Sequence, residues 1–226
     1  IHLPADGYQF SARNQPARQV GGDFFDIFQL DDQHFGLVVA DVSDKGLPAA
    51  LYMALTRSLL RAEAQREPSP KKALESVNRL LLDLGEQEMF VTVFYGVVDC
   101  AAFRMAYARA GHDRPFILRG SETINFAGSG LPLGMFGEEV YYLSEETLAL
   151  EPGDLLFLYS DGLTDLVAGD RQPLGREALM AIVREISAHP GSSAGQIRDR
   201  IFERLATLQG GEDQFDDMTL VVVRVA

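Results

Sequence analysis

Residues 24–42 read FFDIFQLDDQHFGLVVADV, and they decide the fold. Phe24–Leu30 and Phe35–Val42 are apolar runs rich in aromatic and β-branched residues, and Asp31-Asp32-Gln33 between them is turn chemistry. Two strands joined by so short a link run antiparallel. Upstream, Tyr8–Arg13 alternates loosely and predicts a further strand. Downstream, Gly46-Leu47-Pro48 opens a helix, with Pro48 tolerated in its first turn. Leu47, Ala50, Leu51, Ala54, Leu55, Ser58 and Leu59 form one stripe at helical spacing, which predicts the core-facing side.

Ser69-Pro70 is a cap followed by a first-turn proline, so a second helix runs to about Leu84 with Leu74, Val77, Leu80, Leu81 and Leu84 inward. Phe90–Val98, Arg104–Arg109, Pro115–Arg119, Val140–Leu143 and Leu155–Tyr159 are strand candidates, and the glycine-rich stretch 120–137 reads as a loop. Two more helices are predicted at Arg176–Ser187 and Ser193–Gln209, and Met218–Val225 reads as a central strand. Strands thus come in two groups, each followed by a helix pair. That pattern predicts an α+β fold of antiparallel sheets covered by helices, in a single domain spanning 1–226.

The formal net charge of −13 disfavours nonspecific binding to nucleic acid or to an anionic membrane, both of which need a basic face. One cysteine, Cys100, excludes an intramolecular disulfide and a cysteine-based zinc site, and it suits a reducing cytoplasm. At a strand end it is expected to pack and stay inert. No run of 18 apolar residues and no signal-peptide pattern is present. The chain begins at Ile1, which predicts an excised domain. The region upstream would then hold a sensor, a linker or a membrane anchor.

Much of the acid excess is local. Gly21-Gly22-Asp23, Ala40-Asp41-Val42-Ser43, Tyr159-Ser160-Asp161-Gly162 and Asp216-Asp217-Met218-Thr219 each place carboxylates next to an apolar strand-like run. Brought together, four such acids repel unless a multivalent cation neutralises them. Oxygen ligands without cysteine suit Mg²⁺ or Mn²⁺. If the strand ends converge, the carboxylates could hold two ions about 4 Å apart, with a metal-bound water as nucleophile and no side-chain nucleophile. The chain carries no Walker-type phosphate loop. One Asp beside a Gly is ordinarily a turn residue, and Asp31, Asp32 and Asp170 are read that way. The joint occurrence of Asp23, Asp41, Asp161 and Asp216 argues otherwise for these four.

In this order the blocks resemble the metal-dependent (type 2C) protein serine/threonine phosphatases. The similar branch is the bacterial one typified by stage II sporulation protein E and by the phosphatases that regulate alternative sigma factors. The matching residues are PARQVGGDFFD (16–26), ADVSDKGLPAALYM (40–53), FVTVFYG (90–96), AGHDRP (110–115), GLPLG (130–134), YSDGLTD (159–165) and DDMT (216–219). The resemblance implies a two-sheet sandwich flanked by helices, with metals in a cleft at one sheet edge. It implies Asp23, Asp41, Asp161, Asp216 and the Val42 carbonyl as metal ligands, with Asp217 ranked after Asp216. The implied substrate is a phosphoserine or phosphothreonine protein, commonly a small anti-sigma-factor antagonist. Asp44 stands where this branch often has Gly, Phe25 where Tyr is frequent, and Arg114 where Pro is frequent. Val42-Ser43 follows Asp41, so the Asp-Gly-His segment of the eukaryotic relatives, with its suggested general acid, is not present.

Around these ligands, Gly22 and Gly162 allow close backbone approach. Asp44 is either a cap for the helix opening at Gly46 or a support to the metal ligands. His112 reads first as a hydrogen-bonded structural residue and second as a leaving-group acid. Arg18 and Lys45 are candidates to contact substrate phosphate, and each has a solvated alternative. The competing function is a low-turnover binding module for a phosphoprotein. A two-metal nuclease fits the metal logic but not the acidic charge.

Overall fold

Two five-stranded antiparallel sheets face each other in the computed structural model, which describes residues 7–84, 89–168, 172–189 and 191–226. One sheet orders its strands β2-β3-β4-β5-β8: β2 (Phe24–Gln29), β3 (His34–Val42), β4 (Val91–Asp99), β5 (Arg104–Ala110) and β8 (Glu145–Ala149). The other orders them β1-β12-β9-β6-β7: β1 (Tyr8–Gln15), β12 (Met218–Val225), β9 (Leu155–Tyr159), β6 (Phe116–Arg119) and β7 (Glu122–Asn125). Helices α1 (Leu47–Ala64) and α2 (Pro70–Asp83) cover the first sheet. Helices α3 (Gly175–Ser187) and α4 (Ala194–Gln209) cover the second. A small hairpin, β10 (Val167–Ala168) with β11 (Gln172–Pro173), leads into α3.

The period of two along each strand builds this four-layer order. In β3, Val38 and Ala40 pack under α1 and α2, whereas Leu37 and Val39 point into the layer between the sheets. In β12, Leu220 and Val222 face α3 and α4, and Val221, Val223 and Val225 face the other sheet. Both faces of β12 are covered, which is why it reads as an unbroken apolar run. Burying each such valine is worth about 1.5–3 kcal/mol relative to leaving it exposed.

The expected strand at Val140–Leu143 does not form; only Leu143 makes an isolated bridge, to Gly130. Val140 and Tyr142 are exposed there. The strands actually present nearby, β7 and β8, are outer strands of their sheets. Their partly exposed, polar-rich sequences ETIN and EETLA carry no apolar run for sequence reasoning to find. Asp170 lies outside the described residues.

Helix α1 also turns a different face inward than its bulky stripe predicts. Ala49, Tyr52, Thr56, Leu60 and Ala64 are buried, and Leu47 and Leu51 are 68% and 64% exposed. Small residues let the helix approach the sheet closely, and a charge clamp fixes its rotation. Asp26, buried on the helix-facing side of β2 between Phe24 and Phe28, accepts hydrogen bonds from Arg57 (3.1 and 3.3 Å) and Arg61 (2.6 and 2.8 Å). The Arg61 guanidinium also lies 5.0 Å from the Phe28 ring centroid. Burial pushes the Asp26 carboxyl up, but the two arginines outweigh it and hold it below the usual range. On α2, Leu74, Val77 and Leu81 are buried as expected, but Leu84, just past the helix, is exposed.

Candidate metal centre

The four acidic blocks meet at one edge of the sandwich. Asp41 lies near the end of β3, opposite Thr92 of β4. Asp23 immediately precedes β2, and Asp161 opens a single 3-10 turn, Asp161–Leu163, directly after β9. Asp216 and Asp217 lead into β12, whose Leu220 pairs with Tyr159. Each sheet therefore contributes acids to a common edge.

Ser160 ties these segments together. Its hydroxyl donates to Asp23 Oδ2 at 2.5 Å and accepts from the Thr219 N–H at 3.0 Å. The Asn14 side chain donates to the Asp23 carbonyl at 2.9 Å. Asp217 turns inward, where its carboxylate accepts from the Ala17 N–H at 2.8 Å and the Asp23 N–H at 3.3 Å. Asp216 stays half-exposed and receives the Lys45 ammonium at 3.0 Å. The two adjacent acids thus differ in their contacts, Asp217 accepting from backbone N–H groups and Asp216 pairing with Lys45.

Close approach between protein segments is built in. A Cβ on Gly22 would stand 3.0 Å from the Val42 carbonyl oxygen, and one on Gly21 would strike the Asp217 carboxylate. A Cβ on Gly162 would lie 1.9 Å from the Asp217 carbonyl oxygen. Asp44 adopts φ +73, a left-handed conformation that favours Gly. It does not cap α1: its carboxylate accepts from the Lys45 N–H at 2.8 Å, and the residue preceding the helix, Gly46, has no side-chain cap.

Lys45 is not simply solvated. Its ammonium also donates to the Phe215 carbonyl at 3.0 Å and sits 4.6 Å from the Phe215 ring centroid. Arg18 is exposed in the loop between β1 and β2. Cys100, half-buried just past β4, has its thiol pushed up to about 11 by burial and by Asp99.

Electrostatics set the character of this edge. Burial and the neighbouring Asp161 and Asp216 push Asp41 up to about 7. Burial, then Asp113, Asp216 and Asp165, push Asp161 up to about 6. Asp23 is raised well above its ordinary value by burial and by Asp41, with which it shares a hydrogen bond. Asp113, which sequence reasoning passed over, is raised by burial and by Asp165. The signal for it was available, since it lies within the quoted AGHDRP segment. His112 is fully buried, and burial pushes its ring down to about 4, so it is neutral.

Among the described residues, no three His, Cys, Asp or Glu side chains are gathered tightly enough to hold an ion as they stand. Lys45 draws Asp216 aside, and Ser160 holds Asp23. The donor chemistry nevertheless fits a hard divalent cation: several carboxylates, mutually repelling and partly desolvated, with Lys45 as the cation in contact with Asp216.

The raised carboxyls predict how the metal-stripped chain responds to pH. Asp41 and Asp161 hold protons in the fold up to about 7 and 6, whereas their ordinary value is 3.8. Their contribution to stability is complete below 3.8 and is lost as pH rises through 6–7. Asp26, whose carboxyl is lowered, works the other way and only at the acid end. The EDTA-treated chain should therefore melt at progressively lower temperature from pH 5 to pH 8, and Mn²⁺ should flatten that decline. A melting temperature that is level or rising over this range without metal would contradict it.

A family model described as stage II sporulation protein E matches residues 31–226. Protein IcfG of Synechocystis sp. is 33% identical, over 99% of this chain and 39% of that protein. Phosphoserine phosphatase RsbU of Bacillus subtilis is 29% identical, over 97% of this chain and 64% of that protein. The chain thus spans less than two thirds of either curated relative. The solved structure of the SiaA-PP2C domain of Pseudomonas aeruginosa superposes with a TM-score of 0.84 at 20% identity, covering 96% of this chain and 85% of that one. That likeness shows the fold, which is the PP2C sandwich of two antiparallel sheets and four helices. Phosphatases of the PP2C type are metal-dependent.

Proposed function

The chain belongs to the stage II sporulation protein E family, and on that premise we propose that it hydrolyses phosphoserine or phosphothreonine esters on a protein. Asp23, Asp41, Asp161, Asp216 and the Val42 carbonyl would hold two divalent ions, Mn²⁺ or Mg²⁺. When bound, such ions lower the pKa of water and offset charge on phosphoryl oxygens. The observation that carries the reading is the set of raised carboxyls contributed to one edge by both sheets. The likeness of the whole chain to a phosphoserine phosphatase supports the reaction class.

The remaining residues divide the work around that centre. Ser160 fixes the Asp23 carboxylate by donating to it, and Asp217 fixes the backbone from which Asp23 projects. Lys45 stands where it can swing from Asp216 toward a substrate phosphate, and exposed Arg18 can steer the anion in. Gly21, Gly22 and Gly162 keep the segments in contact. The proposed partner is a small anti-sigma-factor antagonist carrying the phosphate. A sensor domain, and any membrane anchor, would belong to sequence outside these residues. No helix among the described residues is long and apolar enough to cross a membrane.

The test is release of inorganic phosphate from a phosphoserine peptide and from a phosphorylated antagonist protein by the EDTA-stripped chain. Activity should return with Mn²⁺ or Mg²⁺ and be lost in Asp161→Asn. Full turnover without metal, or in the variant, would sink the mechanism. Metal-dependent capture of the phosphoprotein without release of phosphate would favour the binding-module reading instead.

A further inference from the structure

Two sheets that meet through apolar packing alone have no directional contact to fix their separation, because the hydrophobic effect is non-directional. Yet Asp41 belongs to one sheet and Asp161 follows a strand of the other. Any ion shared by these carboxylates needs their spacing held to a fraction of an ångström. The hydrogen bonds from Ser160 to Asp23 and from the Asp23 N–H to Asp217 supply direction at Asp23, and a further directional contact is needed between the strands that carry Asp41 and Asp161.

His112 lies between the sheets at that edge and is 2% exposed. Its Nε2 stands 3.1 Å from the Tyr159 carbonyl oxygen, at the end of β9 and two residues before Asp161. A carbonyl only accepts, so Nε2 carries the proton and Nδ1 is the acceptor. Nδ1 meets the Thr92 hydroxyl at 2.9 Å, and Thr92 is the residue paired with Asp41 across the β3–β4 ladder. One neutral ring therefore spans from the strand beside Asp41 to the strand that ends two residues before Asp161.

The ring's own backbone is held as firmly. Arg109 donates to the His112 carbonyl at 2.5 Å and to the Gly128 carbonyl at 2.9 Å. Gly111 turns at φ +74, where an added Cβ would lie 2.8 Å from Pro132. Gly111 also bridges to Val93 of β4. The imidazole is thus anchored to the first sheet through main chain and through Thr92, and it reaches the second through one donated hydrogen bond.

We infer that His112 is a positioning residue whose ring, through Thr92 on one side and the Tyr159 carbonyl on the other, sets the spacing between Asp41 and Asp161. The inference rests on the metal-centre reading above. It differs from a leaving-group role, because both ring nitrogens are committed to protein partners and neither is free for substrate.

Calorimetric titration with Mn²⁺ separates the possibilities, read beside thermal melts. Wild type should bind Mn²⁺. Thr92→Val and His112→Ala should weaken that binding about 10–100-fold, the usual consequence of removing a residue that orients metal ligands. Thr92→Ser, which keeps the hydroxyl, should restore it. Ile201→Ala, in the fully buried core under α4, should lower the melting temperature yet leave the Mn²⁺ affinity unchanged. Unchanged affinity in Thr92→Val, or an equal loss in Ile201→Ala, would overturn the positioning role while leaving the metal centre standing. A wild-type chain that takes up no Mn²⁺ would remove the metal reading and this inference with it. Should His112→Ala not fold, Thr92→Val carries the test alone.

Discussion

Asp41→Asn is expected to cut metal-dependent phosphate release by about 10²–10³-fold while raising the melting temperature of the metal-free chain. Asp41 is where the charges converge: it hydrogen-bonds Asp23 and is pushed up by burial and then by Asp161, Asp216 and Asp217. The amide is nearly the same shape and its oxygen can still accept from Asp23, but it cannot serve as an anionic ligand. At pH 8 the substitution removes a charge that the fold would otherwise hold beside others of the same sign. Activity and stability should therefore move in opposite directions, as they do where function needs a strained arrangement. Phosphate-release assays with Mn²⁺ and calorimetry in EDTA make the comparison. An unchanged rate would remove Asp41 from the chemistry; an unchanged or lower melting temperature would mean that the repulsion costs the fold nothing.

Gly162→Ala should be nearly as damaging for a purely steric reason. Gly162 is not in a left-handed conformation, so its backbone angles suit alanine. The new Cβ, however, would stand 1.9 Å from the Asp217 carbonyl oxygen and 2.8 Å from its carbon. Main chain cannot swing away as a side-chain tip can, so Asp161 and the Asp216-Asp217 segment must separate. Overpacking of this kind costs about 1–3 kcal/mol, and a displacement of about 1 Å at a reacting centre costs about a hundredfold in rate. Gly137→Ala is the matched control, since no atom lies within 4 Å of its added Cβ and its φ is not positive. Urea melts and steady-state kinetics on both variants check the contrast. Wild-type kinetics in Gly162→Ala would show that the two segments need not touch.

The layers were legible in the sequence because β3, β4, β9 and β12 carry apolar residues on both faces and helices cover each sheet. The edge strands β7 and β8 were not, because exposed polar strands look like loops. The rotation of α1 was hidden for a different reason. Bulky Leu47 and Leu51 dominate its pattern, but Arg57 and Arg61 answer to Asp26, a partner on another strand 31 and 35 residues away. At the site, the acidic blocks announced themselves by repetition. What each acid touches did not, since Ser160, Thr92 and the Ala17 amide become partners only across the fold. Asp44 is instructive: its position favours glycine because of a backbone angle.

The strand order of the second sheet also has a consequence in time. β12, residues 218–225, lies between β1 and β9, and β1 pairs with β12 along its whole length. The Asp23 N–H reaches Asp217 across a sequence separation of 194 residues. Such distant pairings form late, because loop-closure entropy must be met before they contribute. At about 5–20 residues per second of synthesis, a growing chain has Asp23 and Asp41 long before it has a strand to set beside β1. Until residues 216–225 have been made and inserted, a nascent chain therefore lacks both the strand that pairs with β1 and the acids Asp216 and Asp217 at that edge.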